Sequence, residues 1–162
     1  MTQNQQAGSR EGSKGRSPGA VNRWVQRRMN ARMIARVRRN RAKFMGMDVL
    51  ILHTVGRRSG QPRLTPVSWF ADGQADGQDA WLIVASGGGS RVPDWDANLM
   101  AHPDRAQIEF PGRGPVPVLP HRLDGAEREQ AWQRITAAQP RYAKYQRKTD
   151  REFPVIRLTP LD

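Results

Sequence analysis

The stretch "MDVLILHTVGRRSGQPRLTPVSWFAD", residues 47–72, decides the fold. Two runs of β-branched, aliphatic and aromatic residues, 47–55 and 63–72, stand either side of a turn that holds Gly56, Gly60 and Pro62. Runs of that length and type, separated by such residues, predict two strands joined as a hairpin. Working outward, "AWLIVAS" (80–86) follows through the hairpin loop "DGQADGQ" (72–78). "RAQIEF" (105–110) and "PVPVLPHRL" (115–123) flank the turn "PGRG", and "FPVIRLTP" (153–160) closes the chain as a sixth strand. Three prolines in 115–123 predict an edge strand or a strand that breaks early. "PDWDANLMAH" (93–102) reads as a short helix with Pro93 in its first turn. "DGAEREQAWQRITAAQ" (124–139) reads as a helix capped by Asp124, with Glu127 completing a capping box, and "PRYAKYQRK" adds a further turn or two. The order predicts an α+β fold: about six mostly antiparallel strands in a sheet or small barrel, with two or three helices between them.

Upstream the pattern changes. Residues 1–19 are rich in Gln, Gly and Ser and are expected to be disordered. Val21, Trp24, Val25, Met29, Met33, Ile34 and Val37 recur at three- and four-residue steps, which predicts a helix over 20–43. Arginines fill much of its remaining surface. One reading is a core-packing helix, capped on the domain by Trp24, Ile34 and Val37, with a solvated basic face. The other is a helix lying on an anionic membrane surface or partner. The chain then divides into residues 1–19, a basic helix 20–45, and a domain 46–162.

The formal net charge is +12, and its distribution matters more than its size. Residues 1–45 carry 12 Lys and Arg against one acid, and residues 46–162 carry 15 against 14. A domain that is nearly neutral beyond its N-terminal segment is not built as a nucleic-acid groove. The absence of cysteine excludes thiol catalysis and disulfides, and three scattered histidines give no metal-ligand spacing. No apolar run approaches membrane-spanning length, and no secretory h-region opens the chain. A cytoplasmic protein is expected, peripheral to the inner face of the membrane if residues 20–43 meet lipid.

Arg57 and Arg58, with Arg63 beyond the turn, place positive charge where glycines let backbone N–H groups approach a ligand. That chemistry suits a phosphate or a carboxylate, although a basic turn touching only water has the same sequence. "VASGGGSRVPDW" (84–95) repeats the theme: a strand runs into Ser86 and three glycines, then an arginine, then a helix start. Helix N-termini favour negative charge, and Asn98 follows one turn on. Tyr142 and Tyr145, three apart, share a helical face, either lining a pocket or packing a core. Ser86 lacks a nucleophile elbow, and Asp94 and Asp96 point to different faces of their helix. With few acid–base candidates and a good anion cradle, the chain is expected to leave the chemistry to a cofactor.

Taken in order, "HTVGRRSGQPRLTPVSWFADG", "WLIVASGGG", "PDWDANLMAHP" and "RITAAQPRYAKYQRKTDREFPVIRLTP" resemble the deazaflavin-dependent nitroreductase family. These are F420H2-dependent oxidoreductases on a split β-barrel related to FMN-binding oxidases. The resemblance covers about residues 47–160. It implies that Arg57, Arg58 and Ser59 hold the phosphate and acidic tail of coenzyme F420, with Arg63, Leu64, Thr65 and Pro66 continuing the contact toward Val67 and Ser68. It places Val84, Ala85, Ser86 and Gly87 beside the deazaflavin ring, and Asp94, Trp95, Asp96, Ala97 and Asn98 at the helix start that closes the groove. Tyr142 and Tyr145 match tyrosines that sit over the ring and face the substrate. The chain departs from the family at Ser68, often aromatic there, at Gly87, often lysine, at Val92, often asparagine, and at Gln139, often tyrosine. The implied function is hydride transfer from the reduced deazaflavin to a small electron-poor acceptor: a quinone, an enone, an activated alkene or a nitro compound. Ser86, Tyr142 and Tyr145 are the implied catalytic group, in a monomer or weak dimer with no metal. Two other readings stand beside it. One is an FMN-binding or secondary-metabolism tailoring oxidoreductase of the same fold. The other is a basic adaptor that binds membrane or nucleic acid and has lost its cofactor.

Overall fold

In the computed structural model, which describes residues 19–41, 43–75, 78–89 and 91–161, the arrangement grows from one strand. Strand β2 (Met47–Val55) alternates its side chains between two apolar faces. Leu50 and Leu52 point into one cluster, while Val49 and Ile51 point into another. It follows β1 (Lys43–Phe44), pairs antiparallel with β3 (Pro62–Ala75) on one edge, and with β5 (Gln107–Glu109) on the other. Strand β4 (Gln78–Val84) continues from β3 across a bulge at Ala71–Gly73. The order β1-β2-β3-β4-β7-β6-β5, closed by the β2–β5 pairing, makes a six-stranded antiparallel barrel with β1 as an added strand. Here β6 is Pro115–Arg122 and β7 is Val155–Pro160. Closure removes the sheet edges that an open sheet of this size would leave unpaired.

The barrel interior holds Leu50, Leu52, Val67, Ile83, Ile108, Val118, Ile156 and Leu158, joined by Leu99 of α2 (Asp94–Ala101). Two outer faces are also covered. Val49, Ile51 and Leu64 meet Met33, Ile34 and Val37 of α1 (Ala20–Arg38). Leu82, Val84 and Val155 meet Ala131 and Ile135 of α3 (Gly125–Ala138), Tyr142 of α4 (Arg141–Gln146), and Phe153. A second tie fixes α1. Arg38 donates two hydrogen bonds to the Glu109 carboxylate, at 2.8 and 3.0 Å, and His53 Nε2 lies 3.0 Å from the same group.

Several expectations change. The first helix stops at Arg38 because Asn40 adopts φ 62°, a left-handed conformation that ends helices. Trp24 does not cap the domain; it is 56% exposed and stacks under Arg28 at 4.8 Å. The proline-rich β6 is not an edge strand. It shares its length, pairing with β5 over Pro115–Pro117 and with β7 over Val118–Arg122, so each stretch has the one-sided ladder that proline tolerates. The capping box on α3 is absent: Asp124 makes no side-chain cap bond, and Glu127 turns to Arg157 at 3.3 Å. The hairpin loop expected over 72–78 is shorter, since β3 runs to Ala75 and β4 begins at Gln78, and the Asp72 side chain is buried between Arg134 and Arg157. Of the segment expected to be disordered, residues 1–18 lie outside the described residues.

Candidate functional site

Along β3, alternation sends Leu64, Pro66, Ser68 and Phe70 to the outer face. Helix α1 covers the Leu64 end, and α4 covers the Phe70 end, where Tyr142 meets Phe70 edge-on at 5.8 Å. Between them, Pro66 and Ser68 form the floor of a cavity of about 170 Å³, walled by Met29, Met33, Phe44 and Val49. A larger cavity of about 650 Å³ opens beside it, and Asn30 lines both.

The larger cavity is built on the β2–β3 turn. The Gly56 N–H donates to the Gln61 carbonyl at 2.9 Å and the Gly60 N–H to the Gly56 carbonyl at 2.8 Å, closing a tight loop. A Cβ on Gly56 would stand 2.4 Å from Ser59 Oγ, so a side chain there would require the serine hydroxyl to turn away. Helix α2 then fixes Arg57. Its backbone N–H and its Nη1 both donate to Asn98 Oδ1, at 3.0 and 3.3 Å, and Nη1 lies 3.7 Å from Asp94. Arg57, Arg58, Ser59, Arg63, Leu64, Thr65, Asp94, Trp95 and Asn98 all line this one cavity. The opposite wall is α1, through Arg23, Gln26, Arg27, Asn30 and Ile34. Five arginines against one carboxylate form a donor set for a polyanion, which fits a cofactor carrying a phosphate and carboxylates.

Ser86 and Gly87 at the end of β4, and Tyr142 and Tyr145 on α4, line neither cavity. Gly87, Gly88 and Gly89 all have positive φ, and a Cβ on Gly87 would meet the Arg91 carbonyl oxygen at 1.7 Å. Arg151 fastens this turn, donating to the backbone carbonyls of Ala85, Ser86 and Arg91 at 3.2, 2.8 and 3.2 Å. A Cβ on Gly89 would come 4.0 Å from the Tyr145 carbonyl oxygen, so the turn abuts α4. Tyr142 and Tyr145 do share a face, ring centroids 6.4 Å apart. Tyr145 is half-buried and Tyr142 is buried. Burial pushes the Tyr142 phenol above its ordinary pKa, while a hydrogen bond with Ser68 works the other way.

Other sequence-derived candidates lie elsewhere. Val67 points into the barrel, Val84 packs under α3 and α4, and Ala85 is fully buried. Asp96 is buried beneath Arg122, which donates to both its oxygens at 2.7 and 2.9 Å. Ala97 is half-buried and lines neither cavity. Pro66 and Ser68 line the smaller cavity rather than the arginine-rich one. Sequence reading missed Arg151 as the latch of the glycine turn, and it missed α1 as a wall of the site. The latch bridges sixty or more positions and leaves no spacing signal. The α1 wall did have one: Arg23, Arg27, Asn30 and Ile34 recur at three- and four-residue steps.

The model of a family described as F420H(2)-dependent quinone reductase matches residues 23–160. An F420H(2)-dependent quinone reductase of Mycobacterium tuberculosis is 35% identical over 156 residues, covering 86% of this chain and 97% of the relative. A solved F420H2-dependent reductase is 32% identical, with a TM-score of 0.56, over 68% of this chain and 92% of that one. A second solved structure, a domain-swapped dimer, is 28% identical with a TM-score of 0.59, over 86% and 99% of the two chains.

Proposed function

This chain belongs to the F420H(2)-dependent quinone reductase family and is an F420H2-dependent reductase, and we propose that its acceptor is a quinone received on the outer face of β3. The observation that carries this reading is that the two cavities adjoin: Asn30 lines both the arginine-rich volume and the apolar one floored by Pro66 and Ser68. When bound, the reduced deazaflavin supplies the hydride, at C5.

The chain's own residues bind, orient and donate. Arg57, positioned by Asn98, and Arg58 hold the phosphate, and Ser59 and the backbone N–H groups of the turn add donors around it. Pro66 and Ser68 set a flat floor, and Met29, Met33 and Phe44 keep water from the acceptor. The Tyr142 hydroxyl, held protonated by burial, donates to the acceptor oxygen on which charge develops.

Titration of the protein with oxidised deazaflavin, FMN and FAD, followed by fluorescence, tests the cofactor site. Replacing Arg57 and Arg58 together by Ala should weaken deazaflavin binding at least about tenfold, since hydrogen bonds to charged groups contribute roughly 1.5–3 kcal/mol. Unchanged affinity would remove the turn from the site. Acceptor choice is read from turnover with a short-chain quinone, an enone and a nitro compound; a preference for either of the last two rejects the quinone.

Two finer features follow. Val21, Trp24, Val25 and Met29 are exposed on α1 among arginines, which supports peripheral contact with an anionic lipid surface. Among the described residues no helix is long and apolar enough to cross a membrane. Co-sedimentation with anionic but not neutral vesicles is the expected result, and equal recovery with both rejects it. A domain-swapped relative supports a two-chain assembly here too, and a single species of one-chain mass in sedimentation equilibrium would exclude it.

A further inference from the structure

Helix α4 is too short to hold itself in place. Its six residues, Arg141–Gln146, fall well below the roughly 12–15 that a helix needs for marginal stability alone. No side chain caps its N-terminus, where Pro140 stands. The placement of the Tyr142 hydroxyl is therefore set by what grips the ends of this helix. That placement matters because Ser68, the hydrogen-bonding partner of Tyr142, lies in the floor of the smaller cavity.

At the N-terminal end the grip is one exposed contact, from Arg141 to the carbonyl oxygen and sulfur of Met45, at 3.2 Å each. At the C-terminal end it converges on Arg151. Gln146 Nε2 donates to the Arg151 carbonyl at 2.7 Å, and Gln146 Oε1 accepts from the Phe153 N–H at 3.0 Å. The Arg151 guanidinium stands 4.9 Å from the centre of the Phe153 ring. Phe153 is fully buried in the same cluster as Tyr142. The same guanidinium reaches across to the end of β4 and takes the carbonyls of Ala85, Ser86 and Arg91. The glycine turn that it grasps abuts α4 at the Tyr145 carbonyl. One side chain thus joins the turn, the end of α4 and the ring beneath Tyr142. A planar fork can serve three carbonyls in one fixed geometry, which a lysine ammonium cannot.

We infer that Arg151 is a positioning residue for the reaction: by locking the glycine turn to the C-terminal end of α4, it holds the Tyr142 hydroxyl at the acceptor. This inference rests on the reading given above, in which Tyr142 is the donor. Arg151 lines neither cavity, so it acts through α4, and its loss falls on turnover rather than on deazaflavin binding. A donor misplaced by about 1 Å can lower a rate about a hundredfold.

Turnover of the reduced deazaflavin with a short-chain quinone is measured for the full chain, Arg151→Met, Arg151→Lys, Tyr142→Phe and the two double variants. Deazaflavin affinity is read by fluorescence, and hydrogen exchange is followed in the protein alone. Arg151→Met should lower turnover at least about tenfold while affinity stays within about twofold. Arg151→Lys, which keeps the charge but not the fork, should fall between it and the wild type. In the Tyr142→Phe background either substitution should cost less than about twofold more, because no hydroxyl is left to position. The α4 amides should exchange at least about tenfold faster in Arg151→Met, with β2 and β7 unchanged. Arg134→Ala removes one partner of Asp72 on α3 and serves as the control, losing stability without losing turnover. Additive losses in the double variants, or faster exchange across the whole barrel, mean a structural role and overturn the proposal. Should Arg151→Met fail to fold, Arg151→Lys carries the same cycle, and wild-type turnover there overturns it too. Wild-type turnover in the Arg151 variants with an impaired Tyr142→Phe overturns the positioning role alone. Wild-type turnover in Tyr142→Phe overturns the donor reading as well.

Discussion

Gly87 adopts φ 56°, and any side chain there must displace the Arg91 carbonyl oxygen, which a Cβ would approach to 1.7 Å. The left-handed conformation alone costs an L-residue about 1–2 kcal/mol, and the overlap adds to it. Gly87→Ala should lower the melting temperature by roughly 4–8 °C, and the turn that Arg151 fastens should loosen. An unchanged melting temperature would show that the turn relaxes freely. Tyr142 calls for a different measurement. Its raised pKa keeps the proton on the oxygen through the neutral range and beyond the ordinary value of 10.0. The unfolded chain ionises first, so burial of the phenol stabilises the fold below that value, and the contribution is lost as pH rises through the folded pKa. Tyr142→Phe should cut turnover at least about tenfold with cofactor affinity unchanged, because it removes a donor without removing the ring. Equal turnover by the two proteins would mean the hydroxyl only packs. At this scale the sequence was legible where function sits on a local pattern. Arg57, Arg58 and Asn98 lay in quoted motifs and do converge on one cavity. Arg151, Arg122 and Glu109 act through partners far along the chain, and no local window contains both members of such a pair.

Among the elements, the strands were readable because period-two and continuous apolar runs survive in isolation. Helix α1 was readable as a helix but not in its end or its task. Its stop depends on the backbone at Asn40, and its position depends on the Arg38–Glu109–His53 cluster. Above all the hydrogen bond from Arg38 holds the Glu109 carboxyl below its ordinary pKa of 4.5, against the opposing effect of burial. A depressed acid stabilises the fold above its unfolded pKa, and the contribution disappears as pH falls through the folded value. Docking of α1 should therefore weaken below about pH 4.5. Glu109→Gln should remove that pH dependence and lower stability by about 1–2 kcal/mol. The figure is held down because Arg38 is half exposed and its freed charge is hydrated. Hydrogen exchange along α1 as a function of pH separates this from global unfolding: protection lost across the whole barrel, or none lost in α1, contradicts the local tie.

For the whole molecule, the question is whether the basic N-terminal helix is an appendage or part of the body. Composition divides the chain near residue 45, because most of the net charge lies before it. Packing argues for continuity. Val37 is fully buried against Val49 and Ile51, and Arg23 to Ile34 wall the larger cavity. The barrel closes through β2–β5 pairing without help from α1, so a chain lacking residues 1–41 retains its ladder of hydrogen bonds. What it loses is the cover over Val49, Ile51 and Leu64. Burial of an aliphatic side chain is worth roughly 1.5–3 kcal/mol, and domains of ordinary stability hold only about 5–15 kcal/mol in total. The shortened chain should therefore stay folded near room temperature, melt at least about 10 °C lower, and bind a hydrophobic dye. Its deazaflavin affinity should fall too, because a wall of the cavity has gone. If the deletion leaves both melting temperature and affinity untouched, α1 is an appendage after all, and the site is complete without it.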